Sequence, residues 1–189
     1  MPAVTLVLET GAGLANSNSY ASVADGDNYH GRRLYSDKWE DADPGDKEKA
    51  LMMATMVIDQ SVQFYGYQVK ETQALLWPRT RVVNRQVYSF SFLSSTAWGV
   101  IAPYFDTNKI PPQIRDATCE LARLLLTSDR TADDSAKGIS SFEVAGELSV
   151  SFLSPADRKQ VFTDQLKGML EPFGKFRFKR GSVDIVRAQ

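Results

Sequence analysis

The chain has 189 residues, 43% of them hydrophobic, and 22 Lys and Arg against 23 Asp and Glu leave a formal charge of −1. That length suits one domain with a sizeable core, and the near-neutral balance argues against a dedicated duplex-DNA binder, which carries a clear basic excess. One cysteine, Cys119, and one histidine, His30, exclude an internal disulfide and a cysteine-based zinc cluster.

The first nine residues lack a basic stretch, and their apolar run is too short for a signal peptide. No segment approaches the roughly 20 apolar residues of a membrane span, so a soluble chain made in a cytoplasm is expected. Val4, Leu6 and Leu8 alternate with Thr5 and Val7 as in a short strand. Gly11 and Gly13 open a polar loop. As a dinucleotide loop, Gly11-Ala-Gly13-Leu-Ala-Asn16 lacks the third glycine, and that reading is set aside. Ser22 followed by Asp25 reads as a capping box that starts a helix through about Leu34. Its weak apolar stripe places it at the surface, with His30 a half-exposed helix residue.

Residues 37–48 are acidic and turn-rich. Asp41, Asp43 and Asp46 lack the twelve-residue calcium pattern and its terminal glutamate. Asp43-Pro44 supplies an N-cap followed by proline at the first helical position. Leu51, Ala54, Ile58, Val62 and Tyr65, spaced three or four apart, predict a strong helix. Met52, Met53 and Met56 broaden its face as core filler. Gly66 ends it, and Thr72 caps a short helix into Trp77-Pro78. Proline disfavours helical backbone before it, so the corner makes Trp77 and Pro78, with Tyr20, the expected fold anchors. Arg79, Arg81 and Arg85 then stand on a loop, which points toward assembly or binding.

Val87-Tyr-Ser-Phe-Ser-Phe-Leu93 alternates as a half-buried strand does, and Trp98, Ile101, Tyr104 and Phe105 follow in a loop. That aromatic density reads equally as contact with another chain or as a cap on the domain's own core. Pro111-Pro112 starts a second strong helix. Ile114, Ala117, Leu121 and Leu125 mark one face, which Ala122, Leu124 and Leu126 widen, so this helix is central and Cys119 a small buried hydrophobe. Residues 128–138 are polar and expected to be mobile. Two alternating stretches around Ala145-Gly146 predict a β-hairpin over 139–152. Ser154-Pro155-Ala-Asp157 starts a last helix with Phe162, Leu166, Met169 and Leu170 on its apolar face, stopped by Pro172 and Gly174.

The tail alternates basic and apolar residues: Phe176, Arg177, Phe178, Lys179, Arg180, Val183, Ile185 and Arg187. It reads as an arm that finds its partner strand on another protein, or as an edge strand on this protein's own hairpin. The expected fold is mainly α: a small bundle of about four helices with a β-hairpin over residues 1–174, an aromatic loop insertion near 85–106, and an extended basic arm over 175–189.

Several blocks, in this order, resemble a family of tailed-bacteriophage proteins. They are the Gly13-Leu-Ala-Asn-Ser-Asn-Ser-Tyr20 loop with Asp25 to Tyr29, the helix over 49–59, Gln73-Ala-Leu-Leu-Trp-Pro-Arg79, the block from Ile110 to Ala122, the hairpin, and Ile185-Val-Arg187. Members are often labelled DnaT-like single-stranded-DNA-binding proteins and are also similar to head–tail connector (adaptor) proteins. The adaptor likeness implies a virion protein of the neck, a homo-oligomeric ring (a dodecamer) between the portal protein and a downstream tail or stopper protein. It implies an arm docked on the portal, Arg79, Arg81 and Arg85 facing a neighbouring subunit or the channel, transient non-specific contact with DNA in that channel, and no cofactor, metal or catalytic residue. Residues 85–106 depart from the family pattern. A connector is the expected function and single-stranded-DNA binding the alternative, with Trp77, Arg79, Arg81, Arg85, Tyr88, Phe90 and Phe92 imitating an aromatic platform beside a basic groove. An enzyme is not expected, because no Gly-x-Ser-x-Gly elbow occurs and the carboxylates lack acid/base spacing.

Overall fold

The computed structural model describes residues 5–84, 89–94, 97–101, 103–128, 141–144, 148–151 and 161–177, with the backbone alone at 89–94, 97–101, 141–144 and 148–151. The strand expected near the N-terminus reduces to one parallel bridge, Leu8 to Ser19. Ser22 caps α1 (Val23–His30) through the reciprocal pair the sequence predicts: Asp25 N–H donates to Ser22 Oγ at 3.1 Å and Ser22 N–H to Asp25 Oδ2 at 2.9 Å. The helix ends at Gly31, short of Leu34; Ala24, Asp27 and Asn28 are exposed, so it lies at the surface as expected, with one face buried. Its residues Gly26, Tyr29 and His30 are buried, and α2 (Asp37–Glu40) lays Trp39 across Gly26 and His30. His30 is therefore buried rather than half-exposed. Its Nε2 donates to the Cys119 carbonyl at 3.1 Å, and its ring lies 5.0 Å from that of Trp39. Neither partner is near it in sequence.

Asp43 and Pro44 open α3 (Pro44–Ser61) as predicted. One side of this helix, including Leu51, Ala54, Thr55 and Ile58, is fully buried. At Ser61 the helix gives way to β1 (Val62–Phe64), so Val62 and Tyr65 lie beyond it. The chain turns at Gly66 into β2 (Tyr67–Gln68), which pairs with β3 (Arg79–Thr80). No helix forms near Thr72. The Gln73 side chain takes the local backbone groups instead: Lys70 N–H donates to Oε1 at 3.0 Å, and Nε2 donates to the Leu75 and Pro78 carbonyls at 2.7 and 3.1 Å. Such side-chain bonds compete with helical ones. The Trp77-Pro78 peptide is cis.

The backbone of β4 (Ser89–Ser94) pairs antiparallel with β5 (Ala97–Ile101), so Trp98 and Ile101 belong to a strand rather than a loop. The α4 helix (Pro112–Thr127) packs chiefly against α3 and also meets α1, α2 and α5 (Asp164–Leu170), with Cys119 buried in it. That is the central position its broad apolar face predicts. The expected hairpin is present as β6 (Ser141–Val144) against β7 (Leu148–Ser151). α5 starts at an N-cap Thr163, whose Oγ1 accepts from Leu166 N–H at 3.3 Å. The starting signal expected at 154–157 and, apart from Ser128, the mobile stretch expected over 128–138 lie outside the described residues.

The last strand, β8 (Gly174–Phe176), pairs antiparallel with β1: Val62 opposite Phe176 and Phe64 opposite Gly174. A Cβ on Gly174 would stand 2.6 Å from the Gln63 carbonyl oxygen, so only glycine fits. Lys175 and Phe176 thus belong to the body of the fold rather than to an arm beginning at 175. Among the described residues the molecule is mainly α, with five helices and short antiparallel strand pairs. No helix among them is long and apolar enough to cross a membrane.

Trp39 packs so closely on α1 that a Cβ at Gly26 would stand 2.2 Å from its ring. Gly26→Ala is expected to destabilise the protein by about 1–3 kcal/mol through overpacking, read as a lower urea midpoint with an unchanged slope.

Candidate functional site

Most polar groups that the sequence offers for binding are spent inside the fold. Glu9 is buried, and its carboxylate accepts N–H bonds from Gly11 (2.9 Å), Gly13 (3.0 Å) and Leu14 (2.8 Å) and the Ser17 hydroxyl (2.9 Å). Successive N–H groups of this kind form an anion-binding concavity. Here the anion is the protein's own side chain, which explains why a glycine pair in this loop carries no phosphate site. Arg79 is half-buried and likewise spent on the fold. Its Nε donates to the Tyr65 carbonyl at 2.6 Å, Nη1 to Leu76 at 3.1 Å and Nη2 to Gly66 at 2.7 Å. This corrects the expectation that it faces a neighbour or a channel. Arg81 is exposed, and Arg85 lies outside the described residues.

Tyr20, Trp77 and Pro78 are all buried. The Trp77 ring meets Phe64 and Phe173 edge-on, with centroids 6.0 and 5.7 Å away, a favoured aromatic geometry. Trp77 therefore offers no stacking platform.

The flank of α3 that faces away from α4 borders a groove of about 670 Å³. Met52, Met53 and Met56 line one side and Ala74, Leu75 and Leu76 the other, with Asp59 and Arg177 also in its wall. Met56 is 49% exposed, so the methionines are not simply core filler. Their spacing alone cannot reveal this, because the same pattern serves a covered and an uncovered face. Asp59 Oδ1 accepts the Tyr20 hydroxyl at 2.6 Å and Oδ2 accepts Leu76 N–H at 3.0 Å. Burial raises its carboxyl from the ordinary 3.8 to about 6, against the lowering effect of those bonds and of Arg79 and Arg177.

A second exposed surface follows the short strands. Tyr67 on β2 and Tyr104, bridged to Val83, are 66% and 60% exposed, with Arg81 on the segment between β3 and Val83. The sequence pattern marks Tyr104, within the aromatic cluster, and gives no sign of Tyr67. Of the arm residues, Phe176 packs against Phe162 at 5.1 Å and Arg177 N–H donates to the Ser61 carbonyl at 2.9 Å. Phe178, Lys179, Arg180, Val183, Ile185 and Arg187 lie outside the described residues, as do Tyr88 and the side chains of Phe90 and Phe92.

A protein family described as "Putative DnaT-like ssDNA binding protein" matches residues 4–188. The chain belongs to this family. No curated protein and no solved structure matches it. Within the family's matched span, the described residues place Arg81, Tyr67 and Tyr104 at the surface, Trp77 inside, and Arg79 half-buried on backbone carbonyls.

The folded value of Asp59 lies above its unfolded value, so its protonated form favours the fold. Its contribution is full below about pH 4 and is lost as pH rises through about 6. Between these limits the melting temperature of the wild type is expected to fall relative to that of Asp59→Asn. The difference between the two melting curves, followed across pH, checks this.

Proposed function

We propose that this protein binds single-stranded DNA, as the description of its family says. The observation that carries the reading is the family match along nearly the whole chain. The exposed Tyr67 and Tyr104 and the exposed Arg81 support it. Tyrosine rings stack on bases of any sequence, and an arginine adds backbone attraction. The contact surface follows the short strands rather than the Trp-Pro corner, whose ring and first arginine are occupied.

Fluorescence anisotropy with a labelled oligonucleotide tests the reading. Binding at low salt should weaken as salt rises. Tyr67→Ala or Tyr104→Ala should each weaken it about tenfold, consistent with roughly 1–3 kcal/mol per stacked base. Arg81→Ala should reduce the slope of log affinity against log salt by about 0.7. Absence of binding at low salt sinks the proposal.

A second reading, the head–tail connector, is favoured by a different observation. Several of the described cations are matched by a carboxylate: Arg33 and Arg123 with Glu120, Arg115 with Asp25, Lys47 with Asp27 and Lys109 with Asp106. The more conspicuous open surface is an apolar groove, which suits protein contacts better than a phosphate backbone. The ordered blocks resembling phage adaptors support the same reading. In a connector ring each subunit presents two different surfaces to its neighbours, and the tail docks on the portal. Deleting residues 178–189 spares β8 and should abolish co-purification with the portal protein while the circular dichroism spectrum stays helical. Retention of the portal by the shortened chain overturns that docking role.

A further inference from the structure

Arg81 has a left-handed backbone, with φ at 60°, a region that residues with a Cβ enter only under strain. Its side chain is exposed, so packing does not call for an arginine there, and glycine would adopt the conformation freely. The residue stands where two strand pairings meet. On one side Arg79 and Thr80 pair with Gln68 and Tyr67. On the other, the Val82 carbonyl accepts from Phe105 N–H at 2.9 Å, Val83 bridges Tyr104, and Asn84 N–H donates to the Pro103 carbonyl at 2.7 Å. The bend at Arg81 therefore sets the angle between the strand of Tyr67 and the segment of Tyr104. It is closely packed as well. Val82 is buried, and Gly66, itself at φ 68°, lies so near that a Cβ there would stand 2.1 Å from the Thr80 carbonyl oxygen.

We propose that Tyr67, Arg81 and Tyr104 act as one site for consecutive unpaired nucleotides, with the left-handed bend at Arg81 as its positioning element. Backbone strain that a residue's own packing does not explain gathers at functional sites. Here the bend does two things. It leaves the guanidinium exposed for the phosphate backbone, and it holds the two exposed tyrosines on either side of that charge. Stacking on tyrosine is indifferent to base sequence, so the selectivity of such a site lies in its geometry. Rings kept at a fixed spacing meet the open faces of unpaired bases, which a stacked duplex does not offer. A bend free to relax would have to be ordered again on binding, with a loss of affinity. The inference rests on the single-strand reading and adds to it a backbone feature that acts through its neighbours.

Two substitutions in the full-length chain separate the charge from the bend. Arg81→Ala removes the guanidinium and keeps the constraint, whereas Arg81→Gly removes both. Arg81→Gly should melt about 2–4 °C above Arg81→Ala, the shift expected when a left-handed Cβ is relieved in a chain of this size. In anisotropy titrations with a labelled oligothymidine, both variants should show the same reduced salt slope, because each loses one cation. Arg81→Gly should nevertheless bind about two- to fivefold more weakly than Arg81→Ala at every salt concentration, the effect of ordering one freed glycine. Tyr35 supplies the control. Among the described residues it is the other non-glycine with a left-handed backbone, at φ 64°, and it stands on the turn between α1 and α2. Tyr35→Gly should leave binding unchanged. Equal affinities or equal melting temperatures for Arg81→Gly and Arg81→Ala overturn the proposal, as does an equal loss of affinity in Tyr35→Gly. A wild type that fails to bind at low salt sinks the single-strand reading itself and this inference with it, so the two failures are told apart.

Discussion

The Tyr20 hydroxyl holds three separate parts of the chain together. It donates to Asp59 on α3 at 2.6 Å and accepts from the Trp77 N–H at 3.1 Å, while the other Asp59 oxygen takes the Leu76 N–H at 3.0 Å. The Tyr20 N–H adds a bond to Thr55 Oγ1 at 3.2 Å. The N-terminal loop, the long helix and the 70–78 loop are thereby fixed by a few buried polar atoms. Removing one partner of such a network leaves another buried and unsatisfied, which costs about 1–3 kcal/mol. The Trp77 ring can sit between Phe64 and Phe173 because its backbone is held from this side. Burial also pushes the Tyr20 hydroxyl well above the ordinary tyrosine range, with Asp59 adding to the rise. The phenol therefore stays protonated and remains a donor.

This joint also shapes the groove. Asp59 draws the Leu76 backbone onto α3, and Leu75 and Leu76 become the wall opposite the methionines. α3 is consequently apolar on two sides. One packs on α4 and drives the fold; the other is left to the surface of the described molecule. A flank built of unbranched thioether side chains can accept differently shaped partners without a large loss of packing, which suits a site that exchanges occupants.

The sequence was most informative where the signal is local. The Ser22–Asp25 capping box, the Asp43-Pro44 start of α3, the Pro111-Pro112 start of α4 and the 141–151 hairpin are each written within a few residues, and each is present. It was least informative where the outcome depends on a distant partner. His30 is buried by Trp39 and the Cys119 carbonyl, and Arg79 is consumed by three backbone carbonyls that leave no trace in residue type. The helix expected at Thr72 fails because Gln73 bonds its own neighbours. Periodicity finds the methionine stripe on α3 yet cannot say whether anything covers it. For the site, Arg81 and Tyr104 were legible and Tyr67 was not, since a single tyrosine on a two-residue strand forms no pattern.

The pairing of β1 with β8 has a consequence for how the protein is made. Synthesis is vectorial, and β1 emerges long before the strand that completes it. Until β8 and Phe173 arrive, Phe64 and Trp77 lack a face of their packing and β1 presents an open edge. Contacts between positions so far apart in sequence slow folding, and unpaired edges with exposed aromatics invite association during the wait. The nascent chain is thus most vulnerable between release of the 62–77 region and release of residue 176, a window in which a ribosome-associated chaperone would have its greatest effect on yield.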